Sequence, residues 1–184
     1  GTDNAKQVHD GAELFADPAK RAEFPCFVIV PQCPPNSFWG IAPVDSKRKT
    51  VPDQPLNAVL DLLDQTIRQH PVDPKRVYVV GLSMGGYGTW RLLAERPDFF
   101  AAAIPICGGG DPATAASFRR TPIWIFHGLQ DKTVAPENSK KMLAALEKAG
   151  GKPRSTFYPE VAHDAWWPAL RDPATWQWLF AQKK

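Results

Sequence analysis

A mostly parallel β-sheet with helices on both faces is the fold class this sequence predicts, and three observations predict it. Short apolar runs rich in β-branched residues, such as Val77 to Val80, alternate with longer stretches whose apolar residues recur at helical spacing. Polar residues of catalytic type, Ser83, Asp131 and His163, fall just after the ends of such runs. In a parallel sheet, loops that follow strands meet on one rim. The third is length: 184 residues suit one domain, taken as 1–184, large enough to bury about 70% of its unfolded surface.

The elements follow in order. Gly1 to Phe24 carries no initiator Met, no signal peptide and no strand, only a weak helical pattern in Ala12, Leu14, Phe15 and Ala19. Phe24 to Pro31 is a solid apolar run closed by proline and is read as the first strand. Gln32 to Pro52, rich in Pro, Asn, Ser and Gly, is a loop long enough to be functional and carries Phe38 and Trp39. From Asp53 to His70, Leu56, Val59, Leu60, Leu63 and Ile67 share one helical face, and Pro71 stops the helix.

Val77 to Val80 is a buried strand and Met84 to Glu95 the helix after it. Ala101 to Cys107 is another buried strand that runs out into Gly108-Gly109-Gly110-Asp111-Pro112, read as a flexible tip. Thr121 to Phe126 is the next strand, with His127-Gly128-Leu129-Gln130-Asp131 as its loop. Pro136 to Gly150 reads as a helix ended by its glycine pair, Arg154 to Pro159 as the last strand, and Trp166 to Gln182 as one closing helix.

Composition narrows the function classes. A net charge of +3 arises from scattered Lys and Arg, and the densest cluster, Lys47-Arg48-Lys49, reads as a solvated loop, so no nucleic-acid partner is expected. No apolar run approaches the ~18 to 20 residues of a membrane span. Cys26, Cys33 and Cys107 lack C-x-x-C spacing and clustered histidines, so a zinc site is not expected, though one pair is free to bridge. Compartment and oligomeric state stay open.

The chemistry centres on Gly81-Leu82-Ser83-Met84-Gly85, a G-x-S-x-G between strand and helix. Such a nucleophile elbow turns so sharply that the serine holds a strained backbone, for which Gly81 and Gly85 are expected to leave room. Gly86-x-Gly88 lets the helix press against its neighbours. No Lys follows the glycines and no G-x-G-x-x-G occurs, which excludes a phosphate loop and a dinucleotide fingerprint. The Met84 amide, at the helix N-terminus, is placed to hold an oxyanion.

Ser83 is then the nucleophile, His163 its base and later acid, and Asp131 the group that fixes the imidazole. Among the other histidines, His9 lies in the opening segment, His70 at a helix end and His127 beside Asp131 on the same loop. Asp111, after the preceding strand, and Asp164, adjacent to His163, are the rivals of Asp131. Trp39, Trp166 and Trp167 are candidates for an aromatic rim that stacks on substrate; the competing reading is that they brace loops and the last helix.

Gly81-Leu82-Ser83-Met84-Gly85-Gly86-Tyr87-Gly88-Thr89-Trp90, Pro105 to Asp111, His127 to Asp131 and Ala162-His163-Asp164-Ala165-Trp166 together resemble the α/β-hydrolases of the phospholipase/carboxylesterase, dienelactone-hydrolase-like group, in particular its "predicted peptidase" esterases. The resemblance covers nearly the whole chain. It implies an α/β-hydrolase fold and a serine carboxylic-ester hydrolase with Ser83, Asp131 and His163 as triad, a small-molecule ester as partner, and neither metal nor organic cofactor. Members of that group carry an early strand ending in His-Gly-x-Gly, whose loop supplies a second oxyanion amide. By that resemblance the first strands, and the second donor, lie upstream of Gly1, and these 184 residues alone are expected to be weakly active or misfolded at one sheet edge. Small or aryl esters, including feruloyl esters, fit an aromatic rim; a serine peptidase of the same fold and a non-catalytic binding protein are the alternatives.

Overall fold

The computed structural model describes residues 4–9, 11–35, 37–40 and 54–184. Most of the loop expected at Gln32 to Pro52, with Lys47-Arg48-Lys49, lies outside them. Four strands, β1 (Tyr78–Leu82), β2 (Ala102–Ile106), β3 (Trp124–Gly128) and β4 (Arg154–Tyr158), form one sheet in the order β1-β2-β3-β4. Every pairing is parallel, with Tyr78 opposite Ala102, Ile106 opposite Phe126 and Gly128 opposite Tyr158. Sequence order and spatial order coincide, so all four strand ends point to the same rim.

The alternation of side chains along each strand feeds two cores. Ala103, Ile123 and Ile125 pack with Leu56 and Leu60 of α2 (Gln54–Gln69), Trp90 and Leu93 of α3 (Met84–Glu95), and Met142 and Leu146 of α4 (Glu137–Lys148). Ala102, Ile104, Trp124 and Phe126 point the other way, onto Ala169 and Leu170 of α5 (Trp166–Arg171) and Trp176 and Leu179 of α6 (Pro173–Ala181). Both faces are thus covered, as the near-continuous apolar runs of β2 and β3 require. The first helix, α1 (Pro18–Glu23), is short and capped by the Asp17 carboxylate.

Four local expectations need correction. Phe24 to Pro31 forms no ladder: it runs irregularly past β1, separated from it by an apolar slot of about 1360 Å³ lined by Phe24, Val28, Val30, Val79, Leu82 and Phe180. The apolar run is present, but no described strand pairs with it. The expected single helix from Trp166 to Gln182 is two, because Pro173 cannot donate to a continuing helix and Asp172 instead caps α6 by accepting from the Ala174 N–H at 2.9 Å. His127 closes β3 rather than sitting in its loop.

The fourth concerns Gly108-Gly109-Gly110, expected as a flexible tip. Gly108 and Gly109 are buried, and a Cβ on Gly108 would come within 2.6 Å of the Gly86 backbone. The run is a packing surface on which the first turn of α3 rests. Just before it, Cys107 holds φ 47° and is fully buried. No bridge forms, and all three thiols are free. Among the described residues no helix is long and apolar enough to cross a membrane.

Burial pushes the Cys107 thiol up from its ordinary 9.0 to about 12, with the nearby Asp131 charge adding to it and amide hydrogen bonds opposing it. A raised pKa of this kind stabilises the fold fully below the unfolded value and is lost as pH climbs toward the folded one. The stability gap between the wild type and Cys107→Ala is therefore expected to be constant at about pH 6 to 8 and to narrow steadily above pH 9. Denaturant midpoints across that range check it; a gap that stays constant to about pH 11 contradicts it.

Candidate active site

The turn after β1 puts Ser83 in an unfavourable backbone region, φ 51° and ψ −116°, and the surrounding chain holds it there. The Ser83 N–H donates to the Ile106 carbonyl at 2.9 Å, locking the elbow to the end of β2. Glycine is needed at Gly81, where a Cβ would lie 2.1 Å from the Gly85 carbonyl oxygen, and at Gly86, where it would lie 2.6 Å from that of Ile106. Gly85 differs from expectation: open space surrounds its Cβ position, so the room the elbow needs is made at Gly81 and Gly86. Met84 opens α3, and its N–H has no carbonyl one turn earlier to bond.

His163, half-buried in the loop after β4, reaches both partners. Its Nε2 lies 2.9 Å from Ser83 Oγ and its Nδ1 2.7 Å from Asp131 Oδ2. Asp131 follows β3 and is buried, with the other carboxylate oxygen, Oδ1, accepting from the Thr133 and Val134 amides at 2.8 and 2.9 Å. Burial works against ionisation of this carboxyl, but the hydrogen bonds from His163, Val134 and Thr133 outweigh it and hold it below its ordinary range. Ser83, Asp131 and His163, the three residues expected to converge, therefore form one hydrogen-bonded chain. With Nδ1–H donating to the carboxylate, Nε2 is left as the acceptor for the serine hydroxyl.

The rivals are occupied elsewhere. Asp111 is exposed and its carboxylate caps the short turn Pro112–Thr114 by accepting from the Ala113 N–H. Asp164 is also exposed. Of the three tryptophans, Trp166 meets the His163 ring edge to face, with centroids 5.3 Å apart and planes at 90°. Its buried Nε1–H has no hydrogen-bond partner. Trp167 stacks with the Arg171 guanidinium at 4.5 Å, and Trp39 packs against α3 at Gly88 and onto the core.

Two neighbours were not singled out from sequence. His127 is fully buried, with Nε2 3.2 Å from Asp131 Oδ2. Its spacing to Asp131, four residues on at the end of an apolar run, was the available signal. Cys107 lies beneath the same carboxylate: one ligand-type atom from each of Cys107, Asp131 and His163 falls within 4.8 Å of the others. The donor chemistry does not favour a cation there, since the thiol stays protonated to about pH 12 and the other two groups are bonded to each other.

Comparison with known proteins agrees with this architecture. Residues 42–167, more than half of the chain, match the model of the dienelactone hydrolase family. A solved structure described as a thermostable esterase superposes with a TM-score of 0.92 at 41% identity, covering 100% of this chain and 52% of that one. Poly(3-hydroxyalkanoate) depolymerase C of Paucimonas lemoignei is 32% identical over 46% of this chain and 28% of its own length. Feruloyl esterase B of Thermothelomyces thermophilus is 26% identical over 76% of this chain and 59% of its own. The chain thus spans about half or less of the first two and rather more of the third. With the parallel sheet, the elbow and the family match in agreement, the chain belongs to the dienelactone hydrolase family of α/β-hydrolases.

Proposed function

We propose that this chain is the catalytic part of a serine carboxylic-ester hydrolase. The observation that carries the reading is the relay of two hydrogen bonds, Ser83 Oγ to His163 Nε2 at 2.9 Å and His163 Nδ1 to Asp131 Oδ2 at 2.7 Å. The names of its relatives, esterases among them, support ester as the bond cleaved.

In this reading Ser83 Oγ attacks the acyl carbon while His163 Nε2 takes its proton. The imidazolium that results is stabilised by the Asp131 carboxylate, already ionised and held by three donors. Negative charge builds on the carbonyl oxygen, and the Met84 amide, at the positive end of α3, meets it. His163 then protonates the departing alkoxide, leaving an acyl-serine. Water attacks that ester by the same steps, with His163 as base, and releases the acid and free Ser83.

We infer that the second oxyanion donor comes from a segment outside these 184 residues. The support is the apolar slot along the edge of β1 that no described strand pairs, which Ser83 and Met84 also line. For substrate, the Trp166 ring beside His163 favours a small or aryl acyl group, feruloyl-type esters included; stacking on the indole face is worth about 0.5 to 1.5 kcal/mol.

Three outcomes test the reading on the full-length protein. Ser83→Ala abolishes hydrolysis of an aryl-ester panel and labelling by an active-site phosphonate; a labelled, inert wild type, or faster cleavage of peptide amides than of esters, contradicts esterase action. Asp131→Asn keeps the fold but lowers kcat by roughly 10⁴, because the imidazole loses the acceptor that fixes its tautomer. Trp166→Ala raises KM for feruloyl esters about three- to tenfold relative to acetyl esters; equal losses on both assign the tryptophan to bracing alone.

A further inference from the structure

Asp131 serves two imidazoles. His127, at the end of β3, is fully buried, and its ring nitrogens are both engaged: Nδ1 is 2.7 Å from Ser139 Oγ, and Nε2 is 2.9 Å from the Val134 carbonyl and 3.2 Å from Asp131 Oδ2. Ser139, itself fully buried in the first turn of α4, also lies 3.0 Å from the Gly108 carbonyl, to which its hydroxyl can donate. The oxygen that faces His127 is the one that accepts from His163.

The inventory of protons fixes the direction of this contact. Val134 O and Asp131 Oδ2 are acceptors only, so an unprotonated Nε2 would set a lone pair against two oxygens. Nε2 therefore carries a hydrogen. The Ser139 hydroxyl completes either form of the ring: it donates to Nδ1 when the ring is neutral, and accepts from Nδ1–H and donates to Gly108 O when the ring is charged. In both forms Nε2–H donates to the Val134 carbonyl, and its positive edge lies 3.2 Å from the oxygen that binds His163.

We propose that His127 is a positioning residue for the triad, whose Nε2–H draws charge from Asp131 Oδ2 and so keeps His163 available as a free base at lower pH. This rests on the ester-hydrolase reading above. The Oδ1 atom stays anchored by the Thr133 and Val134 amides whatever happens at Oδ2, so loss of the His127 donor changes the charge felt by His163 more than the orientation of the carboxylate. With that donor gone, Oδ2 holds an imidazolium more strongly, and proton loss from His163 moves to higher pH.

The other titratable groups that face the pair keep their charge state near neutrality. Cys107, at the end of β2, is held protonated to about pH 12 by burial. Tyr87, on α3, is raised by burial and by the Asp131 charge. Glu137, in the first turn of α4, is lowered by its hydrogen bonds and stays ionised. Burial lowers His127 itself, with Val134 O and Asp131 opposing.

The test compares His127→Asn with His127→Gln in the full-length protein. An Asn amide reaches Ser139 but not Asp131, whereas a Gln amide extends to the Nε2 position. In His127→Asn the acid limb of kcat/KM moves up by about half to one pH unit, and in His127→Gln it returns to within about 0.2 of the wild type. A role confined to packing would lower stability or the plateau in both variants and leave the limb in place, and that result overturns the proposal. Nitrogen-15 NMR of the wild-type histidines gives a readout independent of turnover and of variant folding. His127 Nε2 is expected to be protonated throughout about pH 5 to 9, and a bare Nε2 overturns the proposal. Absence of esterase turnover in the wild type would instead sink the hydrolase reading, leaving the NMR result to decide whether the His127 contact exists.

Discussion

The close seating of α3 on the ends of β1 and β2 is the constraint on which the site depends. Two glycine contacts and one hydrogen bond enforce it: Gly81 against Gly85, Gly86 against Ile106, and Ser83 N–H to Ile106 O. Backbone approaches this close remove any slack at Ser83, which is why a non-glycine residue stays at φ 51° although that region costs of order 1 to 3 kcal/mol. The cost is offset by burial of the rest of the helix, with Tyr87, Trp90, Leu92 and Leu93 all in the interior. A helix free to slide would relax the elbow and withdraw the hydroxyl from His163.

From that fixed point the sheet does the remaining alignment. Parallel strands in sequential order place the residues after β1, β3 and β4 on one rim, and the ladder registers set their heights: Leu82 opposite Ile106, Ile106 opposite Phe126, Gly128 opposite Tyr158. Hydroxyl, carboxylate and imidazole are thus each one short loop from a strand end. The loop after β3 is tightened by Asp131 itself, which accepts from the amides two and three residues on. The side chain that orients His163 also shapes the turn that presents it.

Much of this was legible in the sequence because it follows from local pattern. The apolar runs located β1, β2 and β3, the G-x-S-x-G located the elbow, and the order of Ser83, Asp131 and His163 after β1, β3 and β4 located the relay. What was not legible depends on contacts between distant segments. An apolar run such as Phe24 to Pro31 reads as a strand whether or not a partner strand stands within reach. Three consecutive glycines read as a flexible tip unless Gly86 is known to rest on Gly108. Gly85 satisfied the motif without being the residue that makes room, since a pattern records identity and not clearance. Pro173 is legible as a helix break, yet the apolar residues on both sides of it share the pattern of one helix.

His127 shows why a buried polar group near a reactive site is seldom neutral in its effects. In the interior its two nitrogens must both find partners, and the sequence supplies them in Ser139 and the Val134 carbonyl. Satisfying the ring in this way fixes its plane, and a fixed plane holds Nε2–H on Val134 with Asp131 Oδ2 3.2 Å from the same nitrogen. A leucine at this position would fill the space, yet it would leave the Val134 carbonyl without a donor and take away the N–H edge beside Oδ2. The same low-dielectric surroundings that penalise an unpartnered imidazole also magnify its dipole at a carboxylate 3.2 Å away. Packing, hydrogen-bond completion and the electrostatics of the relay are thus met by one side chain, and only a residue that keeps one contact while losing another can separate them.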